Sequence, residues 1–481
     1  MVVGAVAGEW WALVPLGVTA AVSLGGGLAI RYLCRTSSSD GLRSPMGAVV
    51  VAVGWIGAAM LGGLPLYIAA VGSGEPSMAP YGTVWSAFFE GMSALTSSGL
   101  TMASDPSELP FAFQWWRTAL EWVGGMGVVM LALILFRTHA NRVSLVTSEI
   151  NVEEFAEDNT DAVKRLWMVY SVLTGASVIA FWLVGMPLWE ALNHGVAGVA
   201  TGGFAVTSDS FGSYGSVVKW VGIVVMVLGA MDFAVHVRVF TRRQWSDLWR
   251  DSQTVGLWIA LVLGSVVLLG VTTARGDTGS TTDFAFMWAS ALATCGFGTV
   301  DLADWSGAAL WVLTVGMFVG AAAGSTGGGL KIRRVALLLK EIVWQIRDKD
   351  DVRKRRNQFE GEALETDEAF SLVRQASSLA MAFIASLAIG ALALLVVLDG
   401  EFDTIDVLFE TTSALGAVGL SSGVTSADLP AAAKAVMITL MWLGRLEVMA
   451  ALMIVAALLD KVLGRGEPDE RVLEDAGVSG A

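Results

Sequence analysis

Apolar residues run along this chain in long blocks. The blocks over 10–32, 46–71, 115–136, 166–186, 217–239, 255–273, 310–344, 372–398 and 431–459 are close to or longer than the roughly 20 residues a helix needs to cross a bilayer. Shorter amphipathic stretches lie between them, for example 83–95 and 404–415. At about 12 residues, or roughly 18 Å as helix, such a stretch covers about half the hydrocarbon thickness. It is expected to enter the bilayer and stop near mid-depth, where non-helical backbone persists only inside protein or beside a watery cavity.

One phrase repeats. FFEGMSALTSSGLT (88–101) returns as LFETTSALGAVGLSS (408–422), and alignment on the final glycine exposes NHGVAGVATGGF (193–204) and FMWASALATCGF (286–297). The aligned glycines are Gly99, Gly203, Gly296 and Gly419, each between two apolar blocks and after a short amphipathic stretch. The pattern predicts an all-α polytopic membrane protein. Four units, 44–164, 165–252, 253–368 and 369–462, each read as transmembrane helix, re-entrant helix, transmembrane helix around one central ion pore. One extra N-terminal transmembrane helix with its linker occupies 1–43, and an acidic tail occupies 463–481.

The loop residues are Ser97, Ser98 and Gly99; Thr201, Gly202 and Gly203; Thr294, Cys295 and Gly296; Ala417, Val418 and Gly419. None is charged, so a ring built from them would hold a cation through backbone carbonyls that replace its hydration shell. Glycine permits the required backbone angles, and the helix C-termini aim partial negative charge at the same place. A single such glycine would read as a packing or turn residue; four in register favour the ring.

Composition narrows the class. The chain is 54% apolar and 15% charged, outside the range of soluble domains. Arg31, Arg35, Arg43, Arg137, Arg142, Lys164, Arg165, Arg238, Arg242, Arg243, Arg250, Lys331, Arg333, Arg334, Lys340 and 353–356 fall in one alternating set of loops, assigned to the cytoplasm. The opposite loops hold Glu75, Asp105, Asp209, Asp301, Asp406 and other acids. They would concentrate cations at a pore mouth, and a surface adapted to high salt would show the same acidity. The net charge of −14 gives no reason to expect a nucleic-acid partner. The N-terminus lacks a basic n-region, so the first span is expected to remain as an anchor helix. Cys34 and Cys295 form no disulfide framework.

Block 310–344 is too long for one straight span and contains Gly324, Ser325, Thr326, Gly327, Gly328 and Gly329. Each glycine costs a helix about 1 kcal/mol relative to alanine, so local unwinding is expected here, with close helix packing as the competing reading. Arg445 lies mid-block in 431–459, where a charge needs water or a partner. It either faces the pore as a barrier to cations or pairs with Glu447 of a second subunit or with Asp232. Glu90, His194, Met287 and Glu410 match in position and read as hydrogen-bonded anchors of the short helices. Asp232 and His236, at i and i+4, have a spacing compatible with metal or proton work, with a satisfied intramembrane pair as the favoured reading. An intramembrane enzyme is the remote alternative: His139, His194 and His236 are the only histidines, and no catalytic arrangement is recognisable.

Three stretches, EWVGGMGVVMLALIL (121–135), GAAAGSTGGGLKIRRV (320–335) and MWLGRLEVMAALMI (441–454), resemble the TrkH/TrkG/KtrB superfamily of potassium uptake proteins, and the similarity covers nearly all the chain after residue 44. The resemblance implies a potassium pathway in the plasma membrane with potassium bound at the loop residues. It also implies a glycine-rich gate loop beneath them and an arginine barrier at Arg445. A homodimer in the lipid bilayer and a TrkA/KtrA-like cytoplasmic regulatory ring are implied as partners, with nucleotide only on that ring and no covalent cofactor here. One N-terminal span in place of two, and a fourth loop closer to KtrB, depart from the TrkH pattern. Sodium-coupled symport, or a channel that also passes sodium, is the alternative within transport.

Overall fold

The computed structural model describes residues 1–35, 44–137, 159–347, 357–359, 362–364 and 366–446. The basic run 353–356, His139, Arg142, Glu447 and the tail 463–481 lie outside them. Among the described residues the helices of ten or more residues are α1 (Leu13–Leu33), α2 (Ser44–Gly72), α3 (Val84–Leu95), α4 (Phe111–Arg137), α5 (Asn159–Leu183) and α6 (Leu188–Val199). They continue as α7 (Ser216–Ala230), α8 (Phe233–Arg242), α9 (Ser252–Arg275), α10 (Thr281–Ala293), α11 (Gly307–Val319) and α12 (Ile332–Arg347). The last three are α13 (Thr366–Leu398), α14 (Thr404–Leu415) and α15 (Ala431–Arg445). Among the described residues the only strands are β1 (Asn357–Phe359) and β2 (Glu362–Leu364), which pair as a small antiparallel hairpin.

Among the described residues five helices are long and apolar enough to cross a membrane; they lie within α1, α2, α5, α9 and α13. Their outward faces expose large apolar side chains, such as Val262, Leu263 and Val266 on α9 and Ile389 and Leu392 on α13. Water would penalise this surface and lipid would not.

The four short helices α3, α6, α10 and α14 are 12, 12, 13 and 12 residues long and are mostly buried. Each packs between the helices that precede and follow it, and also against a helix from the neighbouring stretch of chain: α6 on α4, α10 on α7, α14 on α11, and α3 on α15. The last contact joins the C-terminal part of the chain to the first short helix, and the set closes into a circle.

Local chemistry sets the helix starts. Thr83 accepts from the Ser86 N–H at α3 (3.1 Å), and Ser280 and Asp283 form a reciprocal capping box at α10. The start of α4 is capped from far away in sequence: the Glu9 carboxylate accepts from the N–H groups of Phe111 (2.7 Å) and Ala112 (2.9 Å).

One expected span is revised, a second breaks where its glycines predict, and a third is described only to residue 446. Block 217–239 is two helices, α7 and α8, bent by 97°. The Asp232 carboxylate accepts from Ala234 N–H (2.9 Å) and caps α8, while Met231 and Asp232 take extended backbone. The Asp232–His236 pair therefore does not form; His236 Nε2 bonds to the Leu228 carbonyl instead (2.9 Å). Block 310–344 breaks between α11 and α12, from Gly320 to Lys331. Helix α15 as described runs to Arg445, and 447–459, the rest of the expected span, lie outside the described residues.

Removing the cap at Asp232 should cost about 1 kcal/mol. Asp232→Ala is expected to lower the melting temperature of the detergent-solubilised protein, and Asp232→Asn, which keeps an acceptor, to leave it near the wild-type value.

Candidate functional site

The four short helices end alike. In the first loop Ser98 N–H donates to Ser93 O (2.9 Å) and Ser97 N–H to Ala94 O (3.1 Å). The same pair of bonds runs from Gly202 to Ala197 and Thr201 to Gly198, from Cys295 to Ser290 and Thr294 to Ala291, and from Val418 to Ser413 and Ala417 to Ala414. This is the Schellman ending, and its left-handed position is usually glycine. Here it is Ser97 (φ 53°), Thr201 (φ 49°), Thr294 (φ 52°) and Ala417 (φ 52°). That conformation costs a non-glycine residue about 1 kcal/mol or more, so the surroundings must hold it. Two residues later Gly99, Gly203, Gly296 and Gly419 are again left-handed, with φ between 72° and 101°. Alternating handedness turns successive peptide groups toward a common side.

The four loops meet backbone to backbone. A methyl group at Gly99 would lie 2.3 Å from Gly202 O, at Gly203 2.2 Å from Cys295 O, at Gly296 2.2 Å from Val418 O, and at Gly419 2.6 Å from Ser98 O. Each glycine thus faces the carbonyl that precedes the next glycine in a closed cyclic order. Of the twelve loop residues expected from the sequence, eight meet here, and Ser97, Thr201, Thr294 and Ala417 are the left-handed residues that lead into them.

Behind the loops, the matched anchor positions hold the descending chain. Glu90 accepts from Met102 N–H (2.8 Å), and Glu410 from Ser422 N–H (3.1 Å); the Met287 sulfur accepts from Thr299 N–H (3.3 Å). Glu90 also pairs with Arg117 at 2.6 Å, both fully buried. His194 is only half satisfied: Nδ1 meets Glu190 O (2.9 Å), and Nε2 has no hydrogen-bond partner among the described residues. Outside the spanning helices, Asp283 at the start of α10 is partly desolvated, which raises its pKa, but hydrogen bonds from Lys219 and Ser280 outweigh this and hold it below the ordinary range.

The segment 324–329 lies against the undersides of three of these loops. Thr326 Oγ1 donates to Val199 O and Gly229 O (3.0 Å each), Gly328 N–H to Thr294 Oγ1 (2.6 Å), and Gly329 N–H to Gly416 O (3.1 Å). Two cations hold its carbonyls: Lys331 Nζ donates to Gly327 O (2.5 Å), and Arg445 Nη1 to Thr326 O (3.0 Å). Arg445 Nη2 reaches Gly124 O (2.5 Å). The guanidinium is buried on backbone carbonyls, and Asp232 is not among its partners. Ser325 bonds locally to Ala322 O (2.6 Å), and Gly324 O accepts from Phe233 N–H (3.1 Å).

The glycines here do a job done by helices elsewhere. A methyl at Gly124, Gly229 or Gly444 would strike the carbonyl of Leu95, Val199 or Leu415, the last residue of α3, α6 or α14. At α10 the residue against that terminal carbonyl, Ala293 O, is Gly327 (2.9 Å). Sequence reading singled out neither those helix glycines nor Glu121. The carboxylate of Glu121 is buried and accepts from Phe204 N–H (3.1 Å) directly beside the second loop. An acid inside an apolar block was the available signal.

Bilayer-length helices packed around internal, backbone-lined loops define a multi-pass membrane protein. The chain belongs to the TrkH family of cation transport proteins, whose model matches residues 19–274 and 274–461. It is 28% identical over 433 residues to an uncharacterised cation transporter of Methanocaldococcus jannaschii, covering 90% of this chain and 86% of that one. It is 30% identical over 343 residues to the Trk system potassium uptake protein TrkH of Halomonas elongata, covering 69% of each. The crystal structure of the potassium transporter TrkH from Vibrio parahaemolyticus is similar with a TM-score of 0.78 and 26% identity, over 92% of this chain and 91% of that one.

Thr294→Val keeps the side-chain shape but leaves the partly buried Gly328 N–H without its acceptor, a loss of about 1 kcal/mol. The expected result is a lower melting temperature together with faster proteolysis within 324–329, read by mass spectrometry of the fragments.

Proposed function

We propose that this protein carries potassium into the cell across the plasma membrane, through a path defined by the four loops. The observation that carries this reading is the closed backbone ring of Gly99, Gly203, Gly296 and Gly419 against neighbouring carbonyls. Backbone oxygens at the ends of four converging helices can take the place of water around a dehydrated cation. The relatives named as potassium uptake proteins supply the identity of the ion. On this reading the units 44–164, 165–252, 253–368 and 369–462 are repeats about one pore, the loop residues are its filter, and the N-terminal helix is an addition outside it.

Gating follows from the second layer. The segment 324–329 lies under the ring, latched by hydrogen bonds and by Arg445 and Lys331. A fixed positive charge there opposes a passing cation, so the segment would have to shift and Arg445 release Thr326 O for ions to flow. On this reading the protein works as a homodimer, and a TrkA/KtrA-like nucleotide-binding ring on the basic face drives that shift, with nucleotide on the ring alone.

Two measurements on the purified protein in liposomes test the reading. Gly419→Ala should reduce discrimination between potassium and sodium by about tenfold or more, because the new methyl strikes a ring carbonyl. Unchanged discrimination overturns the proposal. Arg445→Ala should raise potassium flux several-fold over the wild type; equal or lower flux in a folded protein removes Arg445 from the gate.

A further inference from the structure

The second loop differs from the other three at one point. The residue before its final glycine is Gly202, where the others carry Ser98, Cys295 and Val418. Gly202 is not among the residues with positive φ, so its backbone alone would accept a side chain. What stands in the way is Glu121. A methyl at Gly202 would fall 2.4 Å from the Glu121 Cδ and 2.5 Å and 2.8 Å from its two oxygens. The carboxylate occupies the space that the loop's own side chain would fill.

That carboxylate is embedded. Glu121 is fully buried, Oε1 accepts from Phe204 N–H (3.1 Å), and Oε2 has no hydrogen-bond partner among the described residues. Arg117, one helical turn earlier on α4, is drawn to Glu90 at 2.6 Å and lies 4.0 Å from the centroid of the Phe204 ring. Glu121 also touches the first loop, since its backbone carbonyl accepts from Ser97 Oγ (3.2 Å). Counting back three residues from the helix glycines Gly124, Gly229 and Gly444 gives Glu121, Met226 and Met441. The register that holds an acid beside the bare second loop therefore holds a buried methionine in two other places.

We propose that Glu121 is a positioning residue that stands in for the missing side chain at 202 and, by accepting from Phe204 N–H, sets where the second loop lies in the ring, so that cation affinity there depends on a side chain as well as on carbonyls. The inference rests on the reading of the ring as a cation path. A group that sets the position of a binding loop should act on affinity more than on maximal rate.

Glu121→Gln keeps the shape and the acceptor for Phe204 N–H, whereas Glu121→Ala removes both. In liposomes, the potassium concentration giving half-maximal rubidium or potassium uptake should stay near wild type in Glu121→Gln and rise by about tenfold in Glu121→Ala. If Glu121→Ala does not accumulate, Glu121→Met, the residue in register elsewhere, serves the same comparison. Half-saturation equal to wild type in the Ala or Met variant overturns the positioning role. The space-sharing role has its own test: Gly202→Ala should lower the melting temperature alone and recover when combined with Glu121→Ala. An equal loss in both backgrounds overturns it. Retained discrimination in Gly419→Ala would remove the ring reading itself, whereas lost discrimination there with unchanged half-saturation in Glu121→Ala removes only this inference.

Discussion

Peptide groups that leave a helix inside a bilayer have no water to turn to, and each unpaired one costs several kcal/mol. The same need holds inside a packed protein, and four short helices here end buried among other helices. Each ending spends two N–H groups on its own last turn through the same pair of bonds, and three of the four chains that continue from it hand a further N–H to Glu90, Met287 or Glu410. With the donors occupied by the protein, the carbonyls are what the loops have left to offer. They abut the next loop's glycine so closely that no side chain fits between. The cyclic packing of α3, α6, α10 and α14 follows from the need to bring those four endings to one place.

Around this circle one sector departs from the rest. Gly124, Gly229 and Gly444 sit at helical or helix-flanking positions against the ends of α3, α6 and α14, but the contact at the end of α10 comes from Gly327 in a stretch with no helix. A continuous helix in that sector would have filled the space with its own regular hydrogen bonds. The chain there instead borrows partners from three neighbours, Val199, Thr294 and Gly416, and from two cations, Lys331 and Arg445. Borrowed bonds can be exchanged one at a time, which a helix interior does not allow. The same sector is therefore both the least regular and the best suited to change shape.

Much of this was legible in the chain itself because it is written in local patterns. Half-length amphipathic stretches ending in glycine, repeated four times, specify where the loops fall. The glycine-rich run announces the break between α11 and α12, although the break extends back to Gly320. What escaped depends on which surfaces meet. Asp232 looked like half of an intramembrane pair, yet an Asp just before a helical run is also a cap signal, and the cap is what it forms. Arg445 was expected to need an acid or water; two backbone carbonyls serve, one from α4 and one from the broken segment. Glu121 belongs to α4 but acts on a loop some eighty residues later, and nothing in its own neighbourhood shows that Gly202 leaves room for it.

The closing contact between α15 and α3 also bears on how such a chain is made. Lys434 donates to Ser86 across 348 residues (2.9 Å). The first short helix emerges early in synthesis and waits for its last neighbour until nearly the whole polypeptide has been threaded into the bilayer. Until then the first short helix lacks the neighbour that closes the circle, and a chain that stops before α15 leaves the ring of short helices open on that side.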